Sequence, residues 1–166
     1  MESVSDKTVW MIGHSKHPLS AFVGLLRSHE ISLLVDVRSS PRSRYPWFEK
    51  ARLRNGLRAS EIEYWHCAKL GGKPALPLPK VRDLLDYFLP PKQRMCFMCS
   101  EGDYLQCHRH YHLARVIVPM GYTVLQIQRD GSTVEDLGPS RKTLTKFAQY
   151  IPGYSPAPAA KQNVLF

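Results

Sequence analysis

The sequence predicts a three-layer α/β sandwich of Rossmann-like type, built on a mostly parallel sheet of about five strands. Three observations lead there. Short apolar runs alternate without a break with segments of helical period, several runs are apolar on both faces, and the intervening helices are about 10 to 14 residues long. A chain of 166 residues that is 43% hydrophobic also has the length and apolar content for one sizeable core.

The elements follow in order. Residues 9–14 form a short apolar run closed by Gly13 and His14, and residues 18–30 repeat Leu19, Phe22, Val23, Leu25 and Leu26 at helical spacing, which reads as strand, turn, helix. Residues 32–38 make a second, buried strand that ends in a loop, 39–47, crowded with Ser, Pro and Arg. Residues 50–61 carry a helix on Leu53 and Leu57, 62–67 a third strand, and 69–74 a flexible glycine-containing turn. Residues 78–89 form a helix on Val81, Leu84, Leu85 and Phe88, ended by Pro90 and Pro91. A fourth strand at 94–99, a fourth helix at 107–120 and a fifth strand at 122–128 complete the series. Beyond Gly131 the pattern weakens to one short helix at 144–150. One domain is therefore expected over 1–150, with a flexible tail over 151–166 rich in Pro and Ala.

A net charge of +9 and a pI near 9.6 create a field that attracts polyanions. No apolar run approaches 18 residues and the first eight residues are polar, so neither a membrane span nor a signal peptide is expected and the protein is placed in the cytoplasm. On that reading Cys67, Cys96, Cys99 and Cys107 are thiols rather than disulfides. The oligomeric state is left open.

In open parallel sheets ligands bind beyond the carboxyl ends of the strands. The candidates are thus His14; Asp36 and Arg38 with the loop after them; His66 and Lys69; Cys99 and Glu101; and Cys107, His108 and Arg109. The loop places Arg38, Arg42 and Arg44 beside Ser39, Ser40 and Ser43, and guanidinium forks with hydroxyl donors suit phosphate oxygens. Tyr45, Trp47 and Phe48 follow, offering faces on which a base stacks for about 1 to 3 kcal/mol each. Asp36, inside an apolar strand, must be paired, most locally with Arg38. Cys107 opens a helix, where free N–H groups would receive an anion and lower a thiol pKa. Glu101 is the candidate general acid or base in a cleft of opposite charge, with Asp36 and His14 as further candidates and a salt bridge to Arg109 or Arg44 as its structural alternative.

Other chemistries fit less well. A phosphatase loop needs Arg separated from Cys by five residues, and neither Cys99 nor Cys107 has one. Cys96, Cys99, Cys107, His108, His110 and His112 offer zinc-ligand types, but strand alternation sends Cys96 and Cys99 to opposite faces, so no metal is expected. A dinucleotide fingerprint would need more than the single Gly13, and no cofactor is expected.

The motifs around Gly13-His14, Asp36-Val-Arg38 with Pro41 to Arg44, Leu70-Gly-Gly72, and Cys99-x-Glu101 with Cys107-His-Arg109 resemble the prokaryotic family catalogued as domain of unknown function 488, from about residue 9 to residue 127. The resemblance implies a compact α/β protein tied to nucleic-acid processing or DNA repair. It carries site roles to His14, Asp36, Arg38, Arg42, Arg44, Glu101, Cys107, His108 and Arg109, and none to Cys96, His110 or His112.

The expected function is an enzyme acting on nucleic acid or a nucleotide, DNA favoured, most plausibly by hydrolysis such as glycosylase-like removal of a damaged base. The alternatives are a non-catalytic nucleic-acid-binding module and a thiol enzyme using Cys107.

Overall fold

The computed structural model describes residues 7–156. Strand β1 (Thr8–Gly13) leads into helix α1 (Leu19–Ser28), whose Phe22, Val23 and Leu26 recur every three or four residues and are the ones buried. Strand β2 (Leu33–Asp36) is buried at every position, as a central parallel strand must be. Helix α2 (Lys50–Arg58) buries Leu53 and Leu57, β3 (Glu63–His66) is an edge strand, and α3 (Leu78–Leu85) buries Val81 and Leu85. After β4 (Met95–Cys99), a π-helical stretch at Arg109–Ala114 continues into a single α-turn, α4 (Arg115–Ile117), and a 3-10 turn at Val118–Met120. Strands β5 (Thr123–Ile127) and β6 (Thr133–Asp136) and helix α5 (Arg141–Lys146) follow.

The strands form one sheet in the order β3-β2-β4-β1-β5-β6. All neighbours are parallel except β6, which runs antiparallel to β5. From β1 the chain moves outward through α1 to β2 and through α2 to β3, then returns through α3 to β4 and through α4 to β5. Right-handed crossovers put outward and returning helices on opposite faces. The core divides accordingly: Trp10, Ile12, Cys96 and Met98 face α1 and α2, while Val9, Met11, Phe97 and Cys99 face α3 and α4. The two-residue alternation of β4 thus separates Cys96 from Cys99 as anticipated.

Several expectations need correction. The sheet has a sixth strand: Thr133, Val134 and Glu135 are exposed, so β6 is a polar edge hairpin without the apolar signature of a buried strand. The helices at 50–61 and 78–89 end early, at Arg58 and Leu85. The helix expected at 107–120 begins at Arg109, and that at 144–150 is α5 followed by a 3-10 turn at Ala148–Tyr150. Nor is the tail free from residue 151 onward: Ile151 is buried, and the Arg115 guanidinium lies over the Tyr154 ring at 5.3 Å. Residues 157–166, and the polar start at 1–6, lie outside the described residues. No helix among the described residues is long and apolar enough to cross a membrane.

Candidate functional site

Strands β1 and β4 are neighbours, yet the chain leaves β1 toward one face of the sheet and β4 toward the other. Such a switch point opens a crevice at the carboxyl edge. Here the crevice measures about 480 Å³, within the range of small-molecule sites. His14, Ser15 and Lys16 line it after β1, and Ser100, Glu101 and Gly102 after β4. The remaining walls are Arg42, Ser43, Arg44 and Tyr45 from the loop after β2, and Arg129 after β5. Four cationic side chains therefore surround one carboxylate, that of Glu101.

Backbone packing sets this geometry. The β1–β4 ladder extends one step past the strands, with the N–H of His14 donating to the Cys99 carbonyl (2.8 Å) and that of Ser15 to the Ser100 carbonyl (3.0 Å). Gly13 lies flat against the next residue, for a Cβ there would fall 1.7 Å from the Glu101 carbonyl oxygen. That oxygen accepts from the Arg109 guanidinium at 2.6 Å. The Glu101 carboxylate accepts from the Asp103 N–H at 3.1 Å and is exposed. Arg129 packs over Gly102, whose missing side chain makes room for the guanidinium. On the far wall, the Ser43 N–H donates to Glu49 (2.8 Å) and the Tyr45 N–H to the Ser43 hydroxyl (3.0 Å), and the exposed Arg42 and Arg44 side chains line the crevice, that of Arg44 over the Tyr45 ring.

His14 sits at the base of the crevice, 4% exposed, its ring stacked on Phe48 at 4.1 Å. Its Nδ1 is 2.7 Å from the Ser15 carbonyl, which can only accept, so Nδ1 carries the proton and Nε2 is free to accept from Arg38 at 3.5 Å. Burial, with help from the Arg38 charge, lowers its pKa and keeps the ring neutral.

Asp36 is paired as expected. Its carboxylate receives Arg38 Nε (2.9 and 3.1 Å), Arg38 Nη2 (2.7 Å), the Arg38 backbone N–H (3.1 Å) and the Tyr64 hydroxyl. Asp36 is 0% and Arg38 4% exposed. Neither lines the crevice: they are paired with each other, and the Arg38 Nη1 also reaches His14 and the Arg42 carbonyl (both 3.5 Å), so a general-base role for Asp36 or phosphate contact by Arg38 is not what their geometry provides. Burial and the Asp36 charge raise the Tyr64 pKa, which keeps this hydroxyl a donor.

The step at Cys107, His108 and Arg109 also lies beneath the crevice rather than within it. All three are buried, and no long helix begins there with free N–H groups turned to solvent. Arg109, 1% exposed, donates Nε to Gln126 (3.0 Å); Gln126 in turn donates to Asp136 (2.9 Å), which also holds His110 (2.9 Å). Its guanidinium is spent on internal carbonyl groups, so it props up the Glu101 loop instead of reaching a phosphate. It meets the Glu101 carbonyl, not the carboxylate, and among the described residues Glu101 forms no salt bridge with Arg109 or Arg44, the structural alternative considered for it. Cys107 is buried and its thiol is pushed well above its ordinary value by burial and the adjacent Cys99, the reverse of an activated nucleophile.

Of the other expected residues, Phe48 is a core side chain, while Ser40 and Lys69 are exposed but lie off the crevice walls. The segment at 69–74 is not loose: Gly71 packs on Ser39 and Gly72 on the His108 ring, each too closely for a Cβ to fit freely. Tyr45 and Trp47 stay half-exposed with ring centroids 5.5 Å apart, and the Trp47 indole N–H donates to the His17 carbonyl (2.8 Å). They face a second recess, of about 510 Å³, that shares Lys16 and Tyr45 with the first and adds Pro18, Leu19 and Ser20. Lys16 and Arg129 were not anticipated; applying the strand-end rule to β5 as well as β4 finds Arg129.

No curated protein and no solved structure matches the chain. Residues 18–83, from the start of α1 into α3, match the family described as domain of unknown function DUF488. That stretch holds Asp36, Arg38, Arg42, Arg44 and the Gly71-Gly72 pair, whereas His14 and the segment 99–109 lie outside it. The chain thus resembles the DUF488 family, over a shorter span than its motifs suggest.

Proposed function

We propose that the crevice binds phosphate groups of a nucleic acid or nucleotide, DNA being the favoured form, and that the protein hydrolyses this ligand with Glu101 as the acid–base residue. The observation that carries the reading is the convergence of Lys16, Arg42, Arg44 and Arg129 around the single Glu101 carboxylate at the β1/β4 switch point. The cations and the hydroxyls of Ser15, Ser43 and Ser100 supply donors for phosphate oxygens. The neighbouring Tyr45–Trp47 recess supplies a stacking surface for a base. Excision of a modified base fits this pairing of a phosphate subsite with an aromatic one, since a carboxylate such as Glu101 can act as the general base that activates the attacking water.

A binding-only role is the second reading, favoured by the exposure of the Glu101 carboxylate and its bond to the Asp103 N–H. One experiment separates the two. Single- and double-stranded oligonucleotides with and without modified bases are incubated with the wild type and with Glu101→Gln, and products are read by intact mass. Loss of turnover in the variant, with binding retained, supports hydrolysis at Glu101. Full turnover by the variant overturns that assignment, and salt-dependent binding without any product in the wild type reduces the protein to a binding module.

A further inference from the structure

We propose that Cys99, Cys107 and His108 form a binding site for one zinc-type cation, which ties together the two ends of the loop that carries Glu101. Cys99 closes β4, and Cys107 closes the 3-10 turn Tyr104–Gln106. The chain between them, 100–106, includes the wall of the crevice formed by Ser100, Glu101 and Gly102.

The spacing of the donor atoms is compatible with a tetrahedral site. Each sulfur lies 3.7 Å from His108 Nδ1, and the three donor atoms are all within 4.8 Å of one another. Zinc–sulfur bonds of about 2.3 Å and a zinc–nitrogen bond of about 2.0 Å at tetrahedral angles separate neighbouring donors by roughly 3.5 to 3.8 Å, so both sulfur–nitrogen distances already fit. The donors are two thiolates and an imidazole, a set that selects zinc or another thiophilic cation over magnesium or calcium.

The surroundings are consistent with this. All three residues are at least nine-tenths buried, with exposures of 7%, 4% and 7%. A histidine kept in a core for hydrogen bonding has an oxygen or nitrogen partner, but the polar neighbours of His108 are the two sulfurs, and its Nε2 has no partner among the described residues. Gly72 packs against the Cβ–Cγ–Nδ1 edge of the His108 side chain, where a Cβ would come 3.0 Å from Cγ and 3.3 Å from Nδ1, so the ring is held in place. Two thiolates and a divalent cation sum to zero charge, which suits the apolar cluster containing Cys99 and Cys107. Binding would release the thiol protons. Three protein donors leave a fourth position for water or a small ligand. Cys96, on the opposite face of the sheet, takes no part.

The test is made on the full-length protein, reduced and freed of metal, and is independent of any activity of the crevice. Titration with Co²⁺ should saturate at one equivalent, with thiolate-to-cobalt charge-transfer absorption and the intense visible bands of tetrahedral coordination, and Zn²⁺ should displace it. His108→Gln and Cys107→Ser should weaken binding by at least the roughly 10- to 100-fold that even an outer-shell partner contributes, while Cys96→Ser keeps the spectrum. Wild-type protein that binds no Co²⁺, binds it without the charge-transfer bands, or carries a Cys99–Cys107 disulfide that re-forms after reduction overturns the proposal. Each of these outcomes is read on the wild type, so misfolding of a variant cannot mask it.

Discussion

Substituting Asp36 by Asn probes the buried Asp36–Arg38 pair. The change keeps the shape of the side chain and removes its charge, leaving the Arg38 guanidinium, 4% exposed, without its counter-ion. Breaking a buried pair from one side costs about 3 to 5 kcal/mol, because the surviving charge stays desolvated. For a chain of this size each kcal/mol is worth about 2 to 4 °C, so the melting temperature should fall by roughly 6 to 20 °C. Urea denaturation with unchanged m-value measures the loss directly. The companion variant, Asp36→Leu with Arg38→Met, removes both charges and should recover at least half of it, since an apolar pair of similar volume often replaces a buried ion pair without penalty. A single variant destabilised by less than about 1 kcal/mol, the level of an exposed pair, would refute the reasoning, as would a double variant less stable than the single one.

Two further predictions concern packing and pH. Gly13→Ala, whose methyl would meet the Glu101 carbonyl 1.7 Å away, should cost at least the ~1 to 3 kcal/mol of core overpacking and should disturb the crevice; thermal melts and ligand binding check both. Burial lowers the His112 pKa to about 4, as expected for a ring whose Nε2 meets the Leu76 carbonyl at 2.9 Å while its buried Nδ1 has no acceptor among the described residues to receive a second N–H. Between its unfolded value near 6.5 and about 4, the unfolded chain binds a proton that the folded one does not, so stability falls as pH falls through that window, by up to about 3 kcal/mol. His14, lowered in the same direction, adds to the slope. Denaturation midpoints measured from pH 7 to pH 4 test this, and a flat profile would contradict it.

The order of strands and helices was legible because most elements are buried on at least one face and show it in their spacing. Strand β6 was not, since three of its four residues are exposed and its Asp130-Gly131 turn alone marked the hairpin. That Glu101 and the basic loop would line one crevice was legible because strand ends converge in a parallel sheet. What no local pattern reveals is direction. Arg38, Arg42, Arg44 and Arg109 look alike in sequence, yet Arg38 turns inward to Asp36 and Arg109 to Gln126, a residue 17 positions further on. Phe48 likewise reads as a stacking aromatic until Phe22 and His14 are found packed on it. The approach of Cys99 to Cys107 and His108 joins residues across the loop 100–106, a fold-level contact that carries no local spacing signature, whereas the Cys96–Cys99 spacing that looks like a metal motif is pulled apart by strand alternation.

The central claim, that the crevice is a phosphate site, is tested most directly by the salt dependence of single-stranded oligonucleotide binding. Each engaged cation contributes about −0.7 to the slope of log Kobs against log salt, so Lys16, Arg42, Arg44 and Arg129 together predict a slope near −2.8. Arg42→Gln and Arg129→Gln should each flatten it by about 0.7. A slope near zero, or one that neither substitution changes, would contradict the account.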